Sequence, residues 1–480
     1  MITDLQIDST LPLQQQLYRQ LSQRILQRRY PAGSRLPSSR QLAQNLGVSR
    51  NTVNAVYDQL KSEGFLQTQA GRGIFVHEDI DSRHCPPAKG ASPQPERVAI
   101  PPLPALPEGA IRRSDQDSNL PFTPGLPDLA ALPIRAWNRI LHHHESRPSL
   151  MGYNSLQGYR PLRRAVAEYV GSARGVRCHE DQVIITQGAQ QALALIADIF
   201  LKPGDRVLCE DPGYRGARYA LGRHGNPLIP VPLRHQVLDI DVLADAGPAR
   251  LLYCTPTHQY PMGGILDASQ RMALVEWAQR NQTWIIEDDY DSDFHFYTKP
   301  FAAIQGMFDQ APVLYMGSFS KTLMPALRVG YLIVPDTLVE HVLRAKRVMG
   351  GETALLTQAV IAEFIDSGQF TRHLRRMRQN YREKWELFQG LVIDQLSGLA
   401  APIAESAGMH LVLTGDWPDR DCNHWLWQQG YGSTPLSAHY LGPAQQQGLV
   451  MGFASASDQQ IRDCVAALAI GLARAGQRKT

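Results

Sequence analysis

The sequence predicts an α/β body, mostly parallel sheet with flanking helices, and a small helix-turn-helix module ahead of it. Three observations predict this. From about residue 119 onward, short apolar runs alternate with helical segments: VIIT at 183–186, RVLC at 206–209, LLYC at 251–254, WIIE at 284–287, VLYM at 313–316 and YLIV at 331–334. Before about residue 77, apolar residues recur instead at helical spacing in three short stretches. Between the two, residues 78–118 turn rich in Pro, Ala and Ser. The expected organisation is a module at 1–77, a tether at 78–118 and a body at 119–480, since 480 residues exceed one ordinary core.

Composition narrows the class. A hydrophobic share of 43% with 19% charged residues supplies a globular core. The first residues, MITDLQIDST, hold two acids and no apolar run, unlike a secretory signal. No apolar run approaches the roughly 18 residues of a membrane span. Six cysteines lie scattered without CxxC spacing, as expected of reduced thiols in a cytoplasm and not of a metal site. Charge is uneven: residues 1–76 hold nine Lys/Arg against four Asp/Glu, net +5, and the remainder is net −2. A basic module on a mildly acidic body implies nucleic acid at one end only.

In the module, Leu13, Leu17, Leu21 and Ile25 recur every four residues and form one helical stripe. A second helix starts at Ser38-Ser39, where a hydroxyl can cap it, and presents Leu42, Ala43 and Leu46. After Gly47, Ser49 caps a third helix with Val53, Val56, Tyr57 and Leu60 inward. Strands at 65–68 and 73–76 flank Ala70-Gly71-Arg72 as a basic-tipped wing. The density of proline in the tether prevents helix and sheet and leaves an extended spacer spanning tens of ångströms.

The body's unusual residues fall just after its strands, where α/β sheets gather ligands. Gln187-Gly188-Ala189-Gln190 opens a helix and can hold an anion. Tyr214, in Glu210–Tyr214, can stack on a flat ring. Thr255–Gly263 contains His258, which reads equally as a buried structural residue or a ligand contact. Glu287–Asp293 packs five acids near a strand end. One of them can hold a pyridinium proton, and Tyr290 can hydrogen-bond a ring hydroxyl, although such a cluster also has the composition of a divalent-cation site. Finally, Lys321 lies between Ser318 and Ser320 with Arg328 seven positions on. An amine that condenses with an aldehyde, beside short hydroxyls and an arginine that hold phosphate, matches pyridoxal 5′-phosphate (PLP).

Two resemblances sharpen these expectations. Gly33–Arg40 (GSRLPSSR), Leu42-Ala43, Leu46–Val53 (LGVSRNTV) and Gly71–Gly73 resemble the GntR winged-helix DNA-binding domain. The exposed start of its third helix, Ser49, Arg50, Asn51, Thr52 and Asn54, would enter the major groove of operator DNA, with Arg and Asn suited to guanine and adenine edges. Arg35, Arg40 and Arg72 would hold phosphates, and Ser38 is counted among the DNA-binding residues. Residues 119–480 resemble a fold-type I, aspartate-aminotransferase-like domain. Phe122–Asp128 (FTPGLPD), Tyr153, Gly158, Leu162-Arg163, Glu210–Tyr214, Thr255–Gly263, Glu287–Phe294 and Ser318–Gly330 carry that likeness. Together the chain resembles the MocR family of PLP-binding transcriptional regulators.

The resemblance implies that Lys321 forms the Schiff base, Asp288 meets the ring nitrogen, Tyr290 the ring oxygen, and Tyr214 stacks on the ring. Gly188, Ala189, Gln190, Ser318 and Arg328 would surround the phosphate, with Tyr153 reaching the phosphate of the other subunit in a head-to-tail homodimer. It further implies a regulator, and not an enzyme, that answers to PLP or to an amine forming a PLP adduct. An aminotransferase with an accessory DNA module is the competing reading. The chain departs from the aminotransferase pattern at Tyr260, where asparagine is usual, and at Val450, where an arginine clamping a substrate carboxylate is expected. Arg215 or Arg218 could substitute for it. His142–His144 and Arg372–Arg382 read as solvated helix faces, consecutive histidines pointing apart.

Overall fold

The structure is a computed structural model of the chain and describes residues 12–78, 80, 119–297, 301–308, 311–403 and 407–477. Most of the proline-rich tether lies outside the described residues. The chain divides into two compact units, Met1–Ala105 and Leu106–Thr480.

In the first unit, helices span Leu13–Leu26, Ser39–Leu46 and Arg50–Ser62, followed by β1 (Leu66–Gln69) and β2 (Gly73–Val76). Local chemistry sets the boundaries. Ser38 Oγ accepts from Gln41 N at 3.2 Å, Gly47 closes the second helix in the left-handed region at φ 65°, and Ser49 Oγ accepts from Thr52 N at 3.1 Å. Leu17, Leu21, Ile25, Leu42, Val53, Val56, Tyr57 and Leu60 form one core with Leu66 and Val76. Each large apolar side chain there is worth about 1.5–3 kcal/mol. The β1–β2 hairpin is antiparallel, Leu66 opposite Val76, and starts one residue later than the sequence pattern predicts. It is also wider than predicted: Leu36 N donates to Ile74 O and Val76 N to Ser34 O, both at 2.9 Å, so Ser34–Leu36 flanks the wing.

The second unit holds an eight-stranded sheet built from β3 (Val183–Thr186), β4 (Val207–Asp211), β5 (Leu228–Arg234), β6 (Val237–Leu238), β7 (Leu251–Cys254), β8 (Trp284–Asp289), β9 (Val313–Ser318) and β10 (Gly330–Ile333). The order is β3-β10-β9-β8-β7-β4-β5-β6. From β9 to β5 all neighbours are parallel, β10 is antiparallel to both its neighbours, and β5–β6 is a hairpin. Alternate side chains leave for opposite faces. Ile184, Val207, Leu251, Ile286 and Leu314 join a core with helix Ala189–Phe200. Leu208, Leu252, Ile285 and Val313 join another with helix Ala268–Arg280. Burial on both faces explains why these strands read as unbroken apolar runs.

A second, antiparallel sheet has the order β11-β12-β14-β13, from β11 (Ala401–Pro402), β12 (His410–Thr414), β13 (Thr434–Pro435) and β14 (Gly448–Gly452). The 27-residue helix Gln369–Gln395 and helix Asp458–Gln477 share its core through Tyr381, Phe388, Leu411, Met451 and Val465. Phe122 bridges to Gly452 and brings the FTPGLPD run alongside this sheet.

Candidate functional site

Parallel β4, β7, β8 and β9 end at one edge of the large sheet. Because β10 is antiparallel, its first residue, Gly330, lies at that edge too, opposite Ser318 of β9 and Thr186 of β3. The turns carrying the predicted anion-binding residues leave from these three neighbours. Gly188, at φ 81° and ψ −179°, precedes helix Ala189–Phe200 in a backbone region open to glycine. The Arg328 guanidinium lies 3.9–4.0 Å from where a Gly188 Cβ would stand, and Arg328 Nη2 donates to Gln187 O at 3.3 Å. A helix N-terminus and a guanidinium thus face one point, with the Ser318 hydroxyl accepting from Ser320 N at 3.1 Å beside them. Gln190 departs from this group, since its side chain donates to Tyr214 Oη at 3.2 Å.

Lys321 rides on the single turn Phe319–Thr322, and its Nζ donates to Gly125 O at 2.8 Å. A Cβ on Gly125 would lie 2.1 Å from that nitrogen, so the amine occupies space that only glycine leaves open. Gly125 was legible only as part of the FTPGLPD run. Asp288 Oδ2 accepts from Tyr253 Oη at 2.7 Å. Burial pushes the Asp288 carboxyl up to about 7, with Asp289 adding to the shift and the Tyr253 hydroxyl and Lys321 opposing it. At the end of β4, Glu210 accepts from Thr255 N at 3.1 Å, Thr255 Oγ1 at 2.7 Å and Gln259 Nε2 at 3.2 Å, and burial pushes it up to about 7 as well.

The five acids of 287–293 do not converge as a cation site would require. Glu287 accepts from the backbone of Ile304 and Gln305, Asp289 pairs with Arg174 at 2.8 Å, Asp291 faces His258, and Asp293 accepts from Tyr169. Burial opposes ionisation of Asp289, but the Arg174 guanidinium and the Ser292 and Tyr315 hydroxyls overcome it and hold its carboxyl below the ordinary range.

Aromatic rings gather around Tyr260, in the turn after β7, and the space between them and Lys321 is the candidate crevice. Tyr260 meets Tyr214 at 5.8 Å, Tyr290 at 5.6 Å, His410 at 5.3 Å and His439 at 5.4 Å between centroids. Burial lowers His410 to about 4 and His439 to about 3, so both stay neutral. Neither histidine was singled out in the sequence, because each stands alone without a motif. Tyr253 was hidden inside an apolar run. Tyr153 is 99% exposed in its own chain.

Val450 is fully buried and packs with Met262, Val412 and Leu436. Arg218 does not replace an arginine there: its Nη2 is spent on Asp211 and on the carbonyls of Glu210 and His439. Arg215 donates to Tyr219 Oη at 2.9 Å. Contrary to expectation, His143 and His144 both reach one atom, Glu363 Oε2, at 2.8 Å, because a packed helix brings that carboxylate between them. Arg147 donates to His144 Nδ1, so the nitrogen facing Glu363 carries a hydrogen rather than the lone pair a metal needs. The Arg372–Arg382 face is not wholly solvated, since Arg376 donates to Ala131 O and Arg378 to Asp293 O.

In the first unit, Arg35, Arg40, Arg50, Asn51 and Arg72 are exposed, while Thr52 and Asn54 are half-buried. Arg50 Nε leans toward Ser39 Oγ at 3.4 Å, and Arg72 lies 5.9 Å from the Phe75 ring. Ser38 and Ser49 are exposed, but their hydroxyls serve as helix caps.

Comparison with known proteins agrees with both units. Residues 13–76 match the family described as "Bacterial regulatory proteins, gntR family", and residues 125–467 match "Aminotransferase class I and II". The chain is 35% identical over 475 residues to the probable rhizopine catabolism regulatory protein MocR of Rhizobium meliloti, covering 96% of this chain and 94% of that one. It is 31% identical over 437 residues to the HTH-type pyridoxine biosynthesis transcriptional regulator PdxR of Corynebacterium glutamicum, covering 90% and 89%. Among solved structures, the α-aminoadipate aminotransferase LysN of Thermus thermophilus matches 75% of this chain and 93% of its own, with TM-score 0.70 and 25% identity. No helix among the described residues is long and apolar enough to cross a membrane. A GntR-type DNA-binding domain joined to an aminotransferase-like body, in one chain matched nearly end to end by such regulators, places this protein in the MocR family of transcriptional regulators.

Proposed function

We propose that this regulator holds PLP in the crevice and changes its grip on operator DNA when PLP, or an amino compound that condenses with it, occupies that site. The observation carrying this reading is the meeting of Lys321, buried Asp288 and the Gly188–Arg328 turn at one sheet edge. The donor set fits the cofactor. Lys321 offers the amine for the aldehyde. Asp288, costly to ionise alone, gains a cation in the ring nitrogen. Gly188, Ala189, Ser318 and Arg328 offer donors to the phosphate, Tyr290 a hydroxyl to the ring oxygen, and Tyr214 a face to the ring. Gln190 acts through Tyr214. When bound, PLP supplies an aldehyde that exchanges one amine for another. That exchange changes charge and shape beside Lys321, which gives the differential interaction a switch requires.

In this reading the unit of action is a homodimer arranged head to tail, with exposed Tyr153 completing the neighbour's phosphate site. Arg50, Asn51, Thr52 and Asn54 read base edges, Arg35, Arg40 and Arg72 hold phosphates, and Ser38 and Ser49 keep the two helices in place. The relative named for pyridoxine biosynthesis supports the cofactor as signal. Val450, buried among apolar side chains, supports PLP itself or an amine other than an ordinary α-amino acid.

The likeness to aminotransferases sustains a second reading, turnover as the main role. One measurement tests the cofactor that both readings need, and another separates them. Borohydride reduction of the PLP-treated protein should add the cofactor's mass at Lys321, and footprinting upstream of its own gene should change with PLP. Sustained conversion of α-amino acids, with footprints indifferent to PLP and amines, would favour the enzyme.

A further inference from the structure

Tyr290 is held by His258, which Asp291 holds in turn, a pairing that the sequence spacing does not assign. His258 Nδ1 lies 2.8 Å from Tyr290 Oη, and 2.9 and 3.1 Å from Oδ1 and Oδ2 of Asp291. The His258 and Tyr290 rings stack with centroids 5.8 Å apart. His258 and Asp291 are both buried, at 3% and 2% exposure. Space for the pair comes from Gly408: at φ 79°, a Cβ there would lie 2.2 Å from His258 Cε1 and 2.7 Å from Asp291 Oδ2.

Donor counting fixes the direction of each bond. A ring nitrogen carries either a hydrogen or a lone pair. A lone pair on Nδ1 could accept only the phenol hydrogen and would stand against both carboxylate oxygens of Asp291, whereas a hydrogen there is accepted by Asp291 and by the Tyr290 oxygen alike, so Nδ1 carries the hydrogen. That hydrogen is shared between Asp291 and the Tyr290 oxygen. Nδ1 then has nothing with which to accept, and the phenol's own hydrogen is not consumed by His258. Burial, with Asp291 adding to it, pushes the Tyr290 phenol well above its ordinary range, so that hydrogen stays on the oxygen.

We infer that Asp291 and His258 are a positioning pair that fixes Tyr290 as a hydrogen-bond donor into the crevice, toward an anionic oxygen beside Lys321. The inference rests on the PLP reading, since the cofactor's acidic ring hydroxyl supplies that oxygen. Removing either member lets the phenol hydrogen turn away from the crevice. The geometry of Tyr290 itself need not change.

The test uses the full chain and PLP. Tyr290→Phe, His258→Phe and Asp291→Ala are each expected to weaken PLP binding about tenfold, as loss of a hydrogen bond to a charged acceptor does. All three should shift the pH midpoint of the bound cofactor's visible absorption in the same direction. Adding His258→Phe or Asp291→Ala to Tyr290→Phe should change neither reading further. Unshifted midpoints in His258→Phe and Asp291→Ala, or effects that add to those of Tyr290→Phe, would overturn the inference. Should either variant fail to melt cooperatively, Asp291→Asn carries the test: it keeps the volume and removes the charge that selects the tautomer. A shifted midpoint then supports the pair and a wild-type midpoint sinks it. A wild-type chain that takes up no PLP would instead overturn the cofactor reading on which the pair depends.

Discussion

In the first unit the polar side chains offered for contact stand in solvent: Arg50, Asn51 and Arg72 are exposed and surround a core made without them. In the crevice the reverse holds, and Asp288, Glu210 and His258 are each at most 6% exposed. An exposed arginine loses little when free, and its contacts become worth something only when DNA arrives. A buried carboxyl is already strained toward its neutral form by the fold. Polar side chains therefore serve opposite ends: the module waits with its charges hydrated, and the body stores an electrostatic demand that a cationic ring would relieve.

Substitutions can break or sharpen this contrast, and the largest effect is expected at Lys321. Lys321→Ala should abolish borohydride-fixed cofactor, seen by mass, while gel-shift affinity for DNA without PLP stays at the wild-type level. Next is Asp288→Asn, which should lower PLP affinity by about ten- to hundredfold, the range of a hydrogen bond to a charged group.

The same carboxyls make a pH prediction. Asp288 and Glu210 titrate at about 7 in the folded chain, above their unfolded values, so the folded state binds more protons between the two. Stability they contribute at acid pH is lost as pH rises through about 7. Melting of the PLP-free protein between pH 5 and 8 should therefore fall less steeply in Asp288→Asn and Glu210→Gln than in the wild type, by a difference of about 1–3 kcal/mol.

On the other side of the contrast, Arg50→Ala should cost about 1–3 kcal/mol of operator binding and relax specificity at its base pair, with PLP affinity unchanged. Arg72→Ala should weaken all sequences alike and reduce the salt slope by about one. The smallest effect is expected at Ser49→Ala, about 1 kcal/mol of module stability through loss of the helix cap, read by denaturant unfolding.

How far each region was legible follows from the range of its interactions. Ser38, Gly47 and Ser49 act within four residues of themselves, so their turns could be written down from the sequence. The wing was only partly legible, because its third flank, Ser34–Leu36, joins from 40 residues away. In the body, the strands were recognisable as apolar runs, and Lys321, Asp288 and Arg328 stood out against them. Their neighbours did not. Gly125 meets Lys321 across 196 positions, and Gly408 makes room for His258 from about 150 positions further along the chain. Spacing encodes periodicity along one element, and nothing in it announces which distant glycine leaves a gap or which buried imidazole bears the hydrogen. The histidines at 143 and 144 show the same limit, since their meeting at Glu363 depends on how two helices pack.

The pairing of Ser318 with Gly330 has one more consequence. Residues 319–329 form a loop pinned at both ends to adjacent strands, and that loop carries both the amine of Lys321 and the guanidinium of Arg328. A tug on one is delivered to the other through seven positions of backbone, with no need to cross the sheet. A change at position 321 thus has a short covalent route to the guanidinium at 328, and lengthening the loop should uncouple them while leaving every side chain intact.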